Sequence, residues 1–360
     1  MKPVTCDILI IGAGPAGSSA AVSAAKKGMD VLVVEQRAEI GVPVQCAEYI
    51  PAPLVGQLNM GTGFVVQKVL KMRSILPDGF TTEMAAPGFM IHRDRFDQTL
   101  AQMALKLGVR FLLSAKAAER TEKGHVVIKK AVGETHIIDP RIIIGADGPR
   151  SRTASWCAVS TRDLLPAVQY SLKLRTPMTH TEVYLSPDFY GGYGWLFPKG
   201  ETANVGLGLK RHNAPLKGIQ ALLVEFVEKL RKTGKIEGQP LGSNGGLIPT
   251  APLEKAVYGN ILLAGDAAGH AHPITGAGIF TAVSCGRMAG RWAAEAIKKK
   301  DLGILSKYDH EWRDLFGHTL DRAHEKRRIM EKQWACFDQI IKSCWIGFRE
   351  YYHEHAPDEQ

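Results

Sequence analysis

The sequence predicts an α/β protein: a discontinuous, doubly wound Rossmann-type domain, a β-rich domain that interrupts it, and a C-terminal helical region. Three observations carry this reading. DILII (7–11) is a short apolar run that ends in a glycine cluster and opens an alanine-rich helix, as a buried parallel strand does. The same style returns far downstream in RIIIGAD (141–147) and NILLAGDAAG (260–269). Between them, residues 168–210 alternate apolar and polar side chains with the period of an antiparallel sheet.

The elements follow in order. Residues 16–28 are small and alanine-rich, a helix able to lie close on a sheet, and VLVVE (31–35) is the second strand. A helix is expected near 93–108, then a β-rich stretch from VRFLL, and an amphipathic helix over about 215–232. A long helix starts at about Gly278, and a last helical region covers about 305–352. The expected division is 1–75, 90–165 and 255–300 for the nucleotide domain, 76–89 and 166–254 for the antiparallel substrate domain, and 301–360 for the helical region.

Bulk properties narrow the class. At 360 residues, 45% hydrophobic and 22% charged, the chain reads as a folded enzyme and not as a disordered or fibrous protein. No apolar run reaches the roughly 18 residues of a membrane span, and the N-terminus lacks the pattern of a secretion leader. Six cysteines without a CxxC pair argue against a zinc site or a disulfide framework, so a reducing cytoplasm is expected. The net charge of +9 suits an anionic partner such as a phosphorylated cofactor or lipid headgroups; a merely solvated basic face stays equally open. No nucleic-acid module is visible, and the subunit number is not legible.

GAGPAG (12–17) has the strand-before, helix-after context that gives a glycine turn its meaning. Gly12 makes the tight turn, Gly14 lets backbone approach a pyrophosphate, and Gly17 lets helix pack on strand, with Ala16 between them on the same turn. The helix N-terminus offers N–H groups and positive dipole to phosphates. Glu35, 23 residues after Gly12 and followed by Gln36, is placed to bind ribose hydroxyls. Two further strand-turn segments favour FAD over NAD: GADGPRS, with Asp147 and Gly148, and LLAGDAAGHAHPITGAGI, with Gly265 and Asp266. Asp266 suits ribityl hydroxyls, and Pro273, Gly276, Ala277 and Gly278 lead into a helix whose positive end suits charge on reduced flavin. Arg93, on an early helical turn, is a candidate pyrophosphate clamp, with a surface salt bridge as the alternative.

Together these segments resemble the glutathione-reductase-like flavoprotein superfamily that includes aromatic hydroxylases. Within it, GVPVQCAE (41–48), YGGYGWLFPKG (190–200) and the following NVGLG resemble the geranylgeranyl reductase family. That resemblance covers about residues 5–330 and implies FAD, and reduction of isolated C=C bonds in polyprenyl chains by hydride from flavin N5 with a proton from a nearby donor. A disulfide reductase is set aside because Gly41 stands where Cys46 would need its redox partner. YGWLFP in place of WxWxIP sets aside a halogenase. No second glycine-turn unit holds a resident nicotinamide, so electrons are expected from transiently docked NAD(P)H or a protein donor.

The resemblance places Cys46, with Ala47, near the flavin ring, where Cys46 delivers a proton or positions substrate; an inert buried cysteine is the equal alternative. The family often has arginine before this cysteine and glycine after it. Gln45 and Ala47 stand here, which weakens the expectation of an anionic headgroup. His270 and His272 also depart from the family, and His272 is read either as a ring contact and proton relay or as a satisfied structural histidine. Tyr190, Tyr193, Trp195 and Phe197 alternate along a strand, and the resemblance makes Tyr193 and Trp195 part of a roof over the flavin. Phe337, Ile340, Ile341, Cys344, Trp345 and Phe348 form an apolar stripe that suits either internal packing or a peripheral membrane contact.

The leading expectation is an FAD-dependent reductase acting on an isoprenoid or similar apolar substrate. The alternative is a monooxygenase that hydroxylates an aromatic small molecule or protein side chain through a flavin peroxide.

Overall fold

The computed structural model describes residues 3–58, 60–131, 133–161, 163–210 and 218–353. The chain forms two compact units. One comprises Met1–Val44, Arg93–Asp163 and Pro249–Asp321; the other comprises Gln45–His92, Leu164–Ile248 and Arg322–Gln360.

In the first unit the strand Val4–Ile11 lies at the centre of a sheet, parallel to Val31–Val34 on one side and to Thr135–Gly145 on the other. Arg110–Leu112 extends the sheet beyond Val31–Val34, and Ile261–Leu263 extends it beyond Thr135–Gly145, both parallel. Strand order therefore reverses at Val4–Ile11, and in such sheets ligands bind outside the carboxyl ends of the strands at this reversal. Ile8, Leu9, Ile10 and Val31–Val34 are buried throughout, which explains their unbroken apolar runs.

The helices Pro15–Ala25 and Ile279–Lys299 pack together more closely than ordinary side chains allow. A Cβ on Gly286 would lie 2.1 Å from the Ala16 carbonyl oxygen, and one on Gly290 would lie 2.2 Å from that of Ala20. The residues of Pro15–Ala25 are mostly alanine and serine, so backbone meets backbone at these glycines and both helix N-termini come to the same end of the sheet.

The second unit is built on an eight-stranded sheet. Its order is Ile236–Pro249, Leu164–Leu174, Thr202–Gly208, Tyr193–Lys199, His180–Tyr184, Val65–Ile75, Thr81–Ile91, Tyr49–Pro51. The pair His180–Tyr184 with Val65–Ile75 is parallel, and its neighbours on both sides are antiparallel. The helix Ile219–Lys232 buries Leu222, Leu223, Phe226, Val227 and Leu230 against Leu172, Leu196, Val205 and Leu207 of the sheet. The first residues of the expected 215–232 helix, 215–217, lie outside the described residues.

Two sequence expectations are corrected, and one open choice is decided. Residues 45–75, assigned to the nucleotide domain, belong to the second unit, because Val65–Ile75 pairs with Thr81–Ile91 and with His180–Tyr184. The region 301–360 is not a separate body. Tyr308 donates to the Leu263 carbonyl (2.8 Å) in the first unit, whereas Trp345 donates to Ser74 Oγ (2.8 Å) in the second. The apolar stripe is internal: Phe337, Ile340, Ile341, Cys344, Trp345 and Phe348 are all buried, so it presents no apolar face to a membrane. No helix among the described residues is long and apolar enough to cross a membrane.

The helix contact gives the first test. Gly286→Val forces the two helices apart or strains the Ala16 turn, at a cost of about 1–3 kcal/mol. Urea unfolding should show a lower midpoint, and an unchanged midpoint would contradict the close-packed reading.

Candidate flavin and thiol sites

The glycine turn of the first unit is closed on its protein side and open on the other. Gly12 has φ +98°, and a Cβ there would lie 2.3 Å from the Ala146 carbonyl oxygen; a Cβ on Gly17 would lie 1.9 Å from that of Gly12. Nothing lies within 4 Å of the Cβ position of Gly14, and no side chain caps the helix that begins there. The turn thus leaves the backbone at Gly14 open to close approach, as a bound pyrophosphate requires. Ala16 is buried, its Cβ packed 3.0 Å from the Cβ position of Gly265.

The acids meet three different fates. Glu35 is buried and accepts the N–H groups of Ala13 (2.8 Å) and Arg37 (2.9 Å), so it braces the turn while its remaining lone pairs can take a ribose hydroxyl. Gln36 beside it is exposed. Asp147 accepts from Ser151 Oγ (2.5 Å), Arg152 N (2.8 Å), and Thr153 N and Oγ1 (3.0 and 3.1 Å). Its carboxylate is occupied by the start of the helix Arg152–Trp156, and Gly148 with φ +80° turns the chain between them. Asp266 lies in the turn Gly265–Ala268, where burial pushes its carboxyl up to about 6 against the charge of Arg93. Of the three, Asp266 keeps the carboxylate best suited to a polyhydroxyl chain.

Arg93 opens its helix and forms a two-pronged ion pair with buried Asp97, at 2.8 and 3.2 Å. The bridge, the alternative to a pyrophosphate clamp, is thus largely withdrawn from the surface and orients the guanidinium. Burial raises the Asp97 carboxyl even so.

His272 Nδ1 accepts the N–H groups of Ile274 and Thr275, each at 3.3 Å, so its proton resides on Nε2. Its backbone bonds Ala277 O and Gly276 N, which folds the loop of Pro273, Gly276 and Ala277 toward Gly278 at the start of Ile279–Lys299. Burial pushes the His272 ring down to about 4, so it is neutral at physiological pH and pins the loop. His270 is fully buried, tilted against Trp312 at 4.7 Å, and burial pushes it down to about 3.

In the second unit, Cys46 sits in a segment whose polar groups are held one by one. Gln169 Nε2 donates to the Cys46 carbonyl (2.8 Å), and Trp195 Nε1 donates to Gln169 Oε1 (3.2 Å). Because indole can only donate, the amide of Gln169 is fixed with its oxygen toward Trp195. Asn204 Nδ2 donates to the Ala47 carbonyl (3.1 Å) and to Glu48 Oε2 (2.9 Å), and Lys199 Nζ donates to the same Glu48 oxygen (2.6 Å). The Glu48 N–H meets Cys46 Sγ at 3.2 Å. Gln45 donates to the Gly245 carbonyl (2.8 Å).

Trp195, expected in the pocket roof, is buried; a Cβ on Gly206 would lie 2.3 Å from its ring. Tyr193 stacks edge-on with Trp195 (5.9 Å) and Trp345 (5.0 Å), and burial pushes its hydroxyl well up. Phe197 packs edge-on to Tyr49, while Tyr190 precedes the strand and bonds the Glu331 carbonyl instead of sharing the row. The sequence reading missed Glu48, Gln169, Lys199 and Asn204. For two of them the signal was present as polar side chains at inward positions of otherwise apolar strands: Gln169 is 3% and Asn204 4% exposed.

Comparison with known proteins agrees with this geometry. Residues 7–147 match the family described as FAD dependent oxidoreductase, and residues 87–323 match that described as FAD binding domain. Digeranylgeranylglycerophospholipid reductase 1 of Methanococcoides burtonii is 35% identical over 338 residues, covering 87% of this chain and 81% of the relative. Its namesake from Methanopyrus kandleri is 35% identical, with 90% of each chain covered. A geranylgeranyl bacteriochlorophyll reductase-like structure from Thermoplasma acidophilum superposes with a TM-score of 0.84 at 27% identity, covering 97% of this chain and 92% of that one. Fold and site define an FAD-dependent oxidoreductase. The chain belongs to the geranylgeranyl reductase-like family of these flavoproteins.

Burial of neutral His272 makes a pH signature. Its folded value lies below the ordinary 6.5, so its contribution is complete above pH 6.5 and is lost as pH falls toward about 4. His272→Ala should lose less stability than the unsubstituted protein across this window in urea unfolding; parallel curves would contradict the assignment.

Proposed function

We propose that the protein saturates carbon–carbon double bonds of polyprenyl chains carried on a glycerophospholipid. Likeness to reductases named for such lipids, over most of both chains, supports the substrate class. One structural observation supports the site most: GVPVQCAE, YGWLFPKG and NVGLG form a single hydrogen-bonded unit around Cys46.

In this reading the open face of Gly12, Gly14 and Gly17 and the N-terminus of Pro15–Ala25 receive the pyrophosphate. Glu35 binds ribose, and Asp266 binds the ribityl hydroxyls. Arg93, oriented by Asp97, offers its charge to the phosphates. The N-terminus of Ile279–Lys299, presented by Gly276, Ala277 and Gly278, stabilises negative charge on the reduced ring. Asp147 contributes by setting the backbone of Gly148 and not through its carboxylate. When bound, FAD supplies hydride from N5. Cys46 supplies the proton taken up by the second alkene carbon, and solvent returns it to sulfur. Because Gln45 stands where the family often has arginine, the lipid phosphate is not met by a cation at that position. Reducing equivalents come from a transient donor, NAD(P)H or a protein.

The reading is tested by reducing the flavoprotein anaerobically with dithionite and mixing it with a geranylgeranyl glycerophospholipid. The flavin spectrum should return to the oxidised form as substrate is consumed. Consumption only when oxygen is admitted, with substrate-stimulated oxygen uptake, would overturn it in favour of a monooxygenase. Cys46→Ala should slow the anaerobic step about a hundredfold, the size of a lost proton donor, and an unchanged rate would make Cys46 structural. Asp266→Ala should release flavin on dilution; full retention would remove Asp266 from the site.

A further inference from the structure

We propose that Glu48 is a positioning residue: clamped by Lys199 and Asn204, it sets the place of the Cys46 thiol. The inference rests on the reading of Cys46 as proton donor.

Glu48 combines two costly features. It is a non-glycine residue at φ +70°, and the residue is only 4% exposed. A left-handed backbone is strained for a non-glycine residue, and a buried carboxylate is costly unless it is matched. Such a residue persists only where its surroundings over-determine it, and here they do. Lys199 and Asn204 converge on the one oxygen, Oε2, while the Glu48 carbonyl accepts the Ile91 N–H (2.9 Å). The turn so enforced aims the Glu48 N–H at Cys46 Sγ. Upstream, the Trp195–Gln169 relay holds the Cys46 carbonyl, and Asn204 holds the Ala47 carbonyl with its second N–H. Three successive residues are therefore tied to two neighbouring strands, Tyr193–Lys199 and Thr202–Gly208, and to Gln169 on a third, Leu164–Leu174. That is far more than is needed to anchor a loop. The sulfur is half-buried, and its direction follows from the clamp through the Glu48 N–H.

Two readouts test this. In the flavin-loaded protein, alkylation of Cys46 by iodoacetamide is followed by peptide mass spectrometry, with exposed Cys336 as internal reference. Glu48→Gln should change the Cys46 rate about tenfold or more and leave Cys336 unaltered, since a displacement near 1 Å suffices for effects of that order. An unchanged Cys46 rate overturns the proposal whatever the substrate proves to be. The second readout is a double-mutant cycle on lipid reduction with dithionite as reductant. Glu48→Gln should lower kcat about tenfold or more with little change in KM, yet add no further loss to Cys46→Ser. Independent, multiplying losses would mean that Glu48 does not act through Cys46. No loss in Cys46→Ser would instead defeat the proton-donor reading itself. If Glu48→Gln fails to retain flavin, Lys199→Met breaks the same clamp from the strand side and carries both readouts.

Discussion

A carboxylate taken out of water must be matched by cations and donors, and Glu48 meets that requirement with a lysine and an amide converging on one oxygen. Its partners are supplied by residues far apart in sequence, Lys199 and Asn204, on adjacent strands. The match fixes more than one ion pair. It holds a left-handed turn, which places the Cys46 segment, and the strand Tyr49–Pro51 continues from that turn into the sheet edge beside Thr81–Ile91. The glycines of the motif serve the same end: Gly206 leaves room for the indole of Trp195, which in turn orients Gln169 toward Cys46. Motifs that look separate in the sequence are one polar network in the fold.

The nucleotide side obeys a different constraint, close approach of backbone to backbone. Gly12 and Gly17 draw the helix Pro15–Ala25 onto the strand ends, and Gly286 and Gly290 draw the helix Ile279–Lys299 onto Pro15–Ala25. Two helix N-termini are thereby presented by glycine caps with no side-chain bond, at Gly14 and Gly278. The acids around them divide the work. Glu35 and Asp147 spend lone pairs on backbone N–H groups and shape the turns, whereas Asp266 retains a carboxyl pushed upward by burial.

Much of this was legible in the sequence, because it is local. The glycine turn, the acid ending the second strand, the returning strands at 141–147 and 260–269, and the period-two alternation all report on near neighbours along the chain. What was not legible depends on distant pairing. Val65–Ile75 is not itself a nucleotide-domain strand because it lies parallel to His180–Tyr184, a partner that no local pattern reveals. The stripe from Phe337 to Phe348 has the periodicity of a surface-seeking helix as much as of a core one, and only tertiary contacts such as Trp345 to Ser74 and Tyr193 decide for the core. Asp147 was read correctly as a strand-end acid, yet its carboxylate serves a short helix cap that begins four residues later at Ser151. The motif marks Trp195 without revealing that its indole N–H orients Gln169, a residue outside the motif.

Reduction and oxygenation are alternatives that one flavoprotein scaffold can support, and they leave different atoms on the product. The most direct measurement is therefore the mass of the lipid after turnover of the flavin-loaded protein with a digeranylgeranyl glycerophospholipid. A reductase adds hydrogens in pairs, one pair per saturated double bond, with or without air, and that is the result expected here. A product heavier by an oxygen atom and formed only in air would contradict the account.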